Sequence, residues 1–179
     1  MITGAQRNIG LDMALVLVEA GATVYCIDLP SSPIDIWLKA QKYAEALPDI
    51  PGLLEETTVK GKGRLEYISG DVTGRQKTWD IAEEVVKREG RLDICFANAG
   101  VMGGVHCSDY LAKDVHDGSE HPPGPLTAQT AGKQTEKLGR PGSIIMTASI
   151  SGSLANQGQH WSVYNSGYAR TSLTEDNQP

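Results

Sequence analysis

Apolar positions along this chain switch between two periods. Over residues 9–20, Ile9, Met13, Val16 and Leu17 recur at three- and four-residue spacing and Gly21 follows, which predicts an amphipathic helix with a stop. Residues 23–27, Thr-Val-Tyr-Cys-Ile, form a short β-rich run ending at Asp28 and predict a strand. Pro30 and Pro33 break the chain before a second helical pattern over 37–47, and residues 48–62, rich in Pro, Gly and charge, predict a surface insertion. A strand over 65–69, a helix over 77–88, a strand over 93–97, a helix over 126–138 and a buried strand over 143–148 complete the pattern. Such β–α alternation calls for an α/β fold, a doubly wound parallel sheet with helices on both faces.

Three stretches depart from that architecture. Only Met1 and Ile2 precede Thr3, whereas a strand usually takes about five residues, so the first strand is expected to be a stub. Residues 116–125 hold three prolines and two glycines where a helix should start, and they predict no helix. Beyond Asn165 the sequence turns polar and carries no further strand pattern, so the fold is expected to be incomplete at both its first strand and its C-terminal end.

Bulk properties narrow the function classes. The 179 residues read as one domain, 1–179, with 40% hydrophobic content to supply a core. A net charge of −6 argues against general affinity for nucleic acid or anionic membrane. No apolar run approaches the ~18 residues of a membrane helix. The glycine turn starting at residue 4 leaves no room for a leader, so a reducing, cytoplasmic setting is expected. Cys26 and Cys95 sit in apolar strand-like runs and read as core residues, Cys107 beside His106 reads as a loop residue, and no ligand spacing predicts a metal site.

Candidate chemistry clusters at strand ends. Thr3-Gly4-Ala5-Gln6-Arg7-Asn8-Ile9-Gly10 joins a strand to a helix; glycines there let the backbone approach a diphosphate, and the helix N-terminus offers free N–H groups and a favourable dipole. A plain structural turn fits this segment equally well by itself. Asp28, ending the second strand, is placed to accept hydrogen bonds from an adenosine ribose and to repel a 2′-phosphate, favouring NAD. Arg7 in the turn pulls toward NADP, since a guanidinium pairs with that phosphate; set together, NAD leads. Asp71-Val72 follows a strand and suits an adenine amino group, or simply a strand-end turn. In Asn98-Ala99-Gly100 the small residues let a cofactor lie close and Asn98 can brace the first strand; a generic Asn/Gly turn is the plainer alternative.

As an ordered set, these motifs resemble the short-chain dehydrogenase/reductase family, whose marks are a TGxxxGxG turn, an NAG strand end, a catalytic serine and YxxxK on the following helix. The resemblance covers residues 1 to about 165 and has the flavour of fungal NAD(P)-dependent reductases of sugars, polyols or secondary metabolites. Gly4 and Gly10 match the turn, Ile9 lies between its last two positions, and Asn8 replaces the middle glycine, a residue that tolerates positive φ better than most. Ser149 matches the catalytic serine and Tyr164, fifteen residues later, the tyrosine.

The resemblance implies a Rossmann-like dinucleotide-binding oxidoreductase domain with NAD or NADP as cofactor. Hydride would pass between nicotinamide and a small-molecule carbonyl or alcohol, with Tyr164 as acid/base and cofactor contact and Ser149 orienting the substrate. It also implies a homo-oligomer for an intact relative. Two family residues have no counterpart. Tyr168 stands where the lysine that lowers the tyrosine pKa belongs, and residues 118–125, in a segment that builds a subunit-contacting helix in the family, contain no Asn for the proton relay. Three readings therefore stay open: an active oxidoreductase, a non-catalytic dinucleotide-binding relative or partner subunit, and a truncated inactive product.

Overall fold

The computed structural model describes residues 1–49, 62–100 and 123–148. Five parallel strands form one sheet: β1 (Ile2–Thr3), β2 (Thr23–Asp28), β3 (Arg64–Ser69), β4 (Ile94–Ala97) and β5 (Ser143–Met146), in the spatial order β3-β2-β1-β4-β5. Helices α1 (Asn8–Glu19), α2 (Asp35–Ala46), α3 (Arg75–Glu89) and α4 (Pro123–Leu138) occupy the connections. The sheet is doubly wound: the chain builds outward from β1 to β3, then returns to the other side of β1 for β4 and β5.

The two faces bury separate cores. On one, Leu11, Ala14 and Val18 of α1 and Trp37, Ala40 and Ala44 of α2 pack on Ile2, Val24, Cys26 and Leu65. On the other, Ile81, Ala82 and Val85 of α3 and Ala131 of α4 pack on Tyr25, Ile27, Ile68 and Cys95. Successive residues of β2 thus feed opposite cores, the period of two that a strand requires. β1 is indeed short, but its two residues are fully buried and register on both neighbours, Ile2 opposite Cys26 and Phe96, Thr3 opposite Ile27.

Helix ends follow local chemistry. α3 stops where Gly90 enters the left-handed region (φ 68°) and its N–H donates to the Val86 carbonyl at 2.8 Å, with Lys87 and Arg88 in the last turn facing the negative end of the dipole.

Two expectations need correction. α4 begins at Pro123 rather than Leu126, so residues 123–125 of the Pro-rich block are helical. Proline is tolerated in a first turn, where the missing N–H would have no intrahelical partner. β5, expected to be buried, has all four residues exposed, including Ile144, Ile145 and Met146 at 40%, 39% and 43%. It is the last strand of the described sheet and pairs only with β4, so its apolar composition did not translate into burial. Most of the predicted 48–62 insertion, residues 50–61, lies outside the described residues.

Candidate functional site

Strand order reverses at β1, and its C-terminal end, beside that of β4, is the position where open parallel sheets bind ligands. The two strand ends are tied together by Thr3 and Asn98. The Thr3 hydroxyl, fully buried, accepts hydrogen bonds from the backbone N–H of Asn98 (3.1 Å) and Ala99 (3.0 Å). The Asn98 carboxamide donates to the carbonyls of Thr3 (3.1 Å) and Gly4 (3.3 Å), so Asn98 braces the end of β1.

The glycines of the turn are demanded by space. Gly4 has φ 66°, its N–H donates to the Ile27 carbonyl at 2.8 Å, and a Cβ there would lie 2.9 Å from the Ala99 Cα. A Cβ on Gly10 would lie 2.3 Å from the Gly4 carbonyl oxygen and 2.8 Å from Asn98 Nδ2. Gly4, Gly10, Asn98 and Ala99 are therefore one close-packed unit, which the sequence presents as two separate motifs. Asn8 takes φ 53° at the start of α1, a conformation that Asn accepts at less cost than most side chains. Gly100 has nothing within 4 Å of where a Cβ would stand, so its surroundings are open.

The N-terminus of α1 faces this unit without a side-chain cap. Arg7 occupies the capping position in extended conformation, and the first turn holds no acidic residue. α2 and α3 also lack side-chain caps, but α1 is the helix that follows the central strand, and its position is what singles it out. A helix start directs its first-turn N–H groups and the positive end of its dipole outward, which suits an anionic, diphosphate-like group there. Arg7 itself is exposed and forms no ion pair among the described residues.

Asp28 is half-buried beside the turn. Its Oδ2 accepts the Gln6 backbone N–H at 3.0 Å and its Oδ1 the Leu29 N–H at 2.8 Å. A carboxylate accepts about four hydrogen bonds, so two such bonds orient Asp28 and leave it capacity for hydroxyl donors. At the next strand end, Asp71 is exposed, and its Oδ1 accepts from the Thr73 backbone N–H (2.9 Å) and hydroxyl (2.7 Å), the backbone bond leading in holding the carboxyl below its ordinary range. Val72 is buried in the core, and its carbonyl accepts the Thr78 hydroxyl.

Gln6 falls on a variable position of the turn motif, yet the residue is 3% exposed and its Oε1 accepts the Ile34 backbone N–H at 2.7 Å. A buried polar residue in a turn was the available signal, but its contacts lie 22 and 28 residues away and local pattern does not reveal them.

Ser149, Tyr164 and Tyr168 lie outside the described residues, as do Cys107 and residues 118–122. The described chain does bring Thr147 beside β4, its N–H donating to the Ala97 carbonyl at 3.1 Å, two residues before Ser149. Cys26 and Cys95 are buried and free, and burial pushes both thiols up to about 11. Among the described residues no group of three or more His, Cys, Asp and Glu is placed to hold a metal, and no helix is long and apolar enough to cross a membrane. A cavity of about 200 Å3 between α3 and α4 is lined by Arg75, Gln76, Trp79, Gln129, Thr130 and Lys133 and contains none of the strand-end residues.

Comparison with known proteins places this arrangement in context. The sequence model described as short chain dehydrogenase matches residues 1–174. Sorbose reductase sou1 of Schizosaccharomyces pombe is 31% identical over 171 residues, covering 92% of this chain and 59% of that protein. A (-)-trans-carveol dehydrogenase of Rhodococcus erythropolis is 28% identical over 162 residues, covering 85% of this chain and 54% of the relative. Among solved structures, a short-chain type dehydrogenase/reductase from Mycobacterium marinum superimposes with a TM-score of 0.70 at 26% identity, over 90% of this chain and 59% of that one. The chain thus spans little more than half the length of the curated relatives it matches.

Proposed function

The chain belongs to the short-chain dehydrogenase/reductase family, and from that premise we propose that it binds a nicotinamide dinucleotide at the ends of β1 and β4 and serves hydride transfer between that cofactor and a carbonyl or alcohol substrate. The observation that carries the reading is the packed unit of Gly4, Gly10, Asn98 and Ala99 beside the uncapped N-terminus of α1.

Within this reading the cofactor supplies the hydride donor or acceptor. Arg7, Asn8, Ile9 and Gly10 at the start of α1 would hold its diphosphate, while Gly4, whose N–H is bonded to the Ile27 carbonyl, leaves the turn clear of a side chain beside it. Asp28 accepts the adenosine ribose hydroxyls, Asp71 and Val72 meet the adenine, and Asn98, Ala99 and Gly100 give the cofactor a flat floor. Ser149 hydrogen-bonds the substrate oxygen and Tyr164, also a cofactor contact, gives or takes the proton there. The negative charge at Asp28 sets NAD ahead of NADP, with the Arg7 guanidinium opposing that preference. The setting is cytoplasmic, where the free thiols Cys26 and Cys95 stay reduced.

One observation favours a second reading. Tyr168 stands four residues after Tyr164, where the resemblance calls for a lysine, and a phenol of ordinary pKa near 10 is a poor acid/base at neutrality without such a cation. In that case the chain is a dinucleotide-binding relative without turnover. The two are separated by assaying the purified chain with NADH and NADPH against a carbonyl and alcohol panel that includes sorbose and carveol. The oxidoreductase reading expects turnover that Ser149→Ala and Tyr164→Phe abolish. Saturable cofactor binding with no turnover above the Ser149→Ala control moves the assignment to the second reading, and absence of both overturns the two together.

A further inference from the structure

Gln6 makes two contacts that the cofactor site as described does not use. Its backbone N–H reaches Asp28 Oδ2 at 3.0 Å, and its buried carboxamide oxygen receives the Ile34 N–H at 2.7 Å. One residue of the glycine turn is thus bonded both to the acid that ends β2 and to the far end of the Leu29–Ile34 loop. The same loop is tethered from β3 as well: the Tyr67 hydroxyl donates to the Pro30 carbonyl at 2.7 Å, and the Ser69 hydroxyl reaches the Leu29 carbonyl at 3.4 Å. Its first N–H, that of Leu29, is held by Asp28 Oδ1 at 2.8 Å.

The consequences follow from position. The loop leaves the C-terminal end of β2 next to Asp28, on the same edge of the sheet as the glycine turn. Pro30 and Pro33 restrict its backbone, and the bonds to Gln6, Asp28, Tyr67 and Ser69 fix both of its ends. A loop pinned at both ends cannot swing away to admit a bulkier group beside the Asp28 carboxylate. Nor can that carboxylate rotate freely while two backbone N–H groups hold its two oxygens.

We propose that Gln6 is a specificity-positioning residue: through Ile34 it locks the Leu29–Ile34 loop against the turn, so that Asp28 faces a site sized for an unphosphorylated ribose and the 2′-phosphate of NADP is rejected. This deepens the dinucleotide-binding reading above and rests on it. Gln6 acts through the loop and Asp28 and touches no reacting atom. Charge repulsion by Asp28 alone would leave the phosphate free to push the loop outward, and the Gln6 bond closes that route.

The test measures NADH and NADPH dissociation constants of the 179-residue chain by fluorescence titration, with hydrogen–deuterium exchange of the 29–34 amides read in parallel. Gln6→Met keeps the side-chain length and removes the acceptor. It is expected to speed exchange at Ile34 and to narrow the NADH-over-NADPH ratio by about three- to tenfold, the range of one buried hydrogen bond. Gln6→Glu retains an acceptor oxygen and is expected to keep Ile34 protected and the ratio at least as wide as in the parent. Tyr67→Phe removes only the tether to Pro30 and is expected to narrow the ratio in the same direction, which preserves the test should Gln6→Met not fold. An unchanged ratio in both Gln6→Met and Tyr67→Phe, with NADH still bound, overturns the proposal. Failure of the parent chain to bind either dinucleotide overturns instead the reading on which it rests, and the Ile34 exchange rate then reports the clamp by itself.

Discussion

A handful of short-range contacts at the ends of β1 and β4 decide whether this site can exist. Gly10 is the most constrained of them, because a methyl group would enter space held by the Gly4 carbonyl and the Asn98 amide, both of which are fixed by other bonds. Gly10→Ala is expected to cost about 2 kcal/mol, in the range of overpacking, and to weaken dinucleotide binding at the same time. A urea denaturation curve checks the first and a cofactor titration the second. Asn98→Ala removes two donors from partly buried carbonyls and is expected to destabilise the fold by about 1–3 kcal/mol, again read by denaturation. Asn98 was legible as a brace because an Asn directly after a strand carries two donors on a short arm beside the neighbouring strand. Gln6 was not legible, since nothing within the turn says that its backbone will bond residue 28 and its long polar side chain will be buried accepting from residue 34.

At the scale of elements, the strands were readable because each is a compact β-branched or aromatic run between turn formers. Burial was harder to read, as β5 shows: Ser-Ile-Ile-Met has the composition of a core strand, but burial depends on what packs against both faces and the far edge. Exposed apolar edge strands promote association. Ile145→Thr keeps the β-propensity of the strand and reduces its apolar edge, so it is expected to lower light scattering at high concentration and leave the melting temperature nearly unchanged. The α4 start had a different cause. Prolines break helix interiors, whereas Pro123 stands in the first turn, where no N–H is missed.

β2 and β4 also carry a pH signature. Burial holds the thiols of Cys26 and Cys95 at about 11, above their ordinary value of 9.0, so the folded state keeps these protons more tightly than the unfolded chain. Their contribution to stability is complete below pH 9 and is lost as pH rises from 9 toward 11. Denaturation midpoints are expected to fall across that window, and peptide mapping after iodoacetamide at pH 8 should find both cysteines largely unmodified in the folded protein. Rapid labelling of Cys26 at pH 8 would contradict their burial.

For the molecule as a whole, the doubly wound sheet and its reversal at β1 place the glycine turn, Asp28, Asp71 and Asn98 along one edge, although the sequence spreads them over almost a hundred positions. That convergence turns individually weak motifs into one candidate site, and the family match covers residues 1–174. The catalytic pair expected from the resemblance, Ser149 and Tyr164, lies outside the described residues, so the described geometry bears on dinucleotide binding and not on hydride transfer. Dinucleotide binding at this edge of the sheet is the proposal on which the others depend. Calorimetric titration of NADH into the purified chain tests it most directly, with NADPH as comparator and a cooperative melt as proof of folding. Saturable binding at one site per chain, tighter for NADH than for NADPH, is the expected result. A cooperatively melting protein that takes up neither dinucleotide would contradict it.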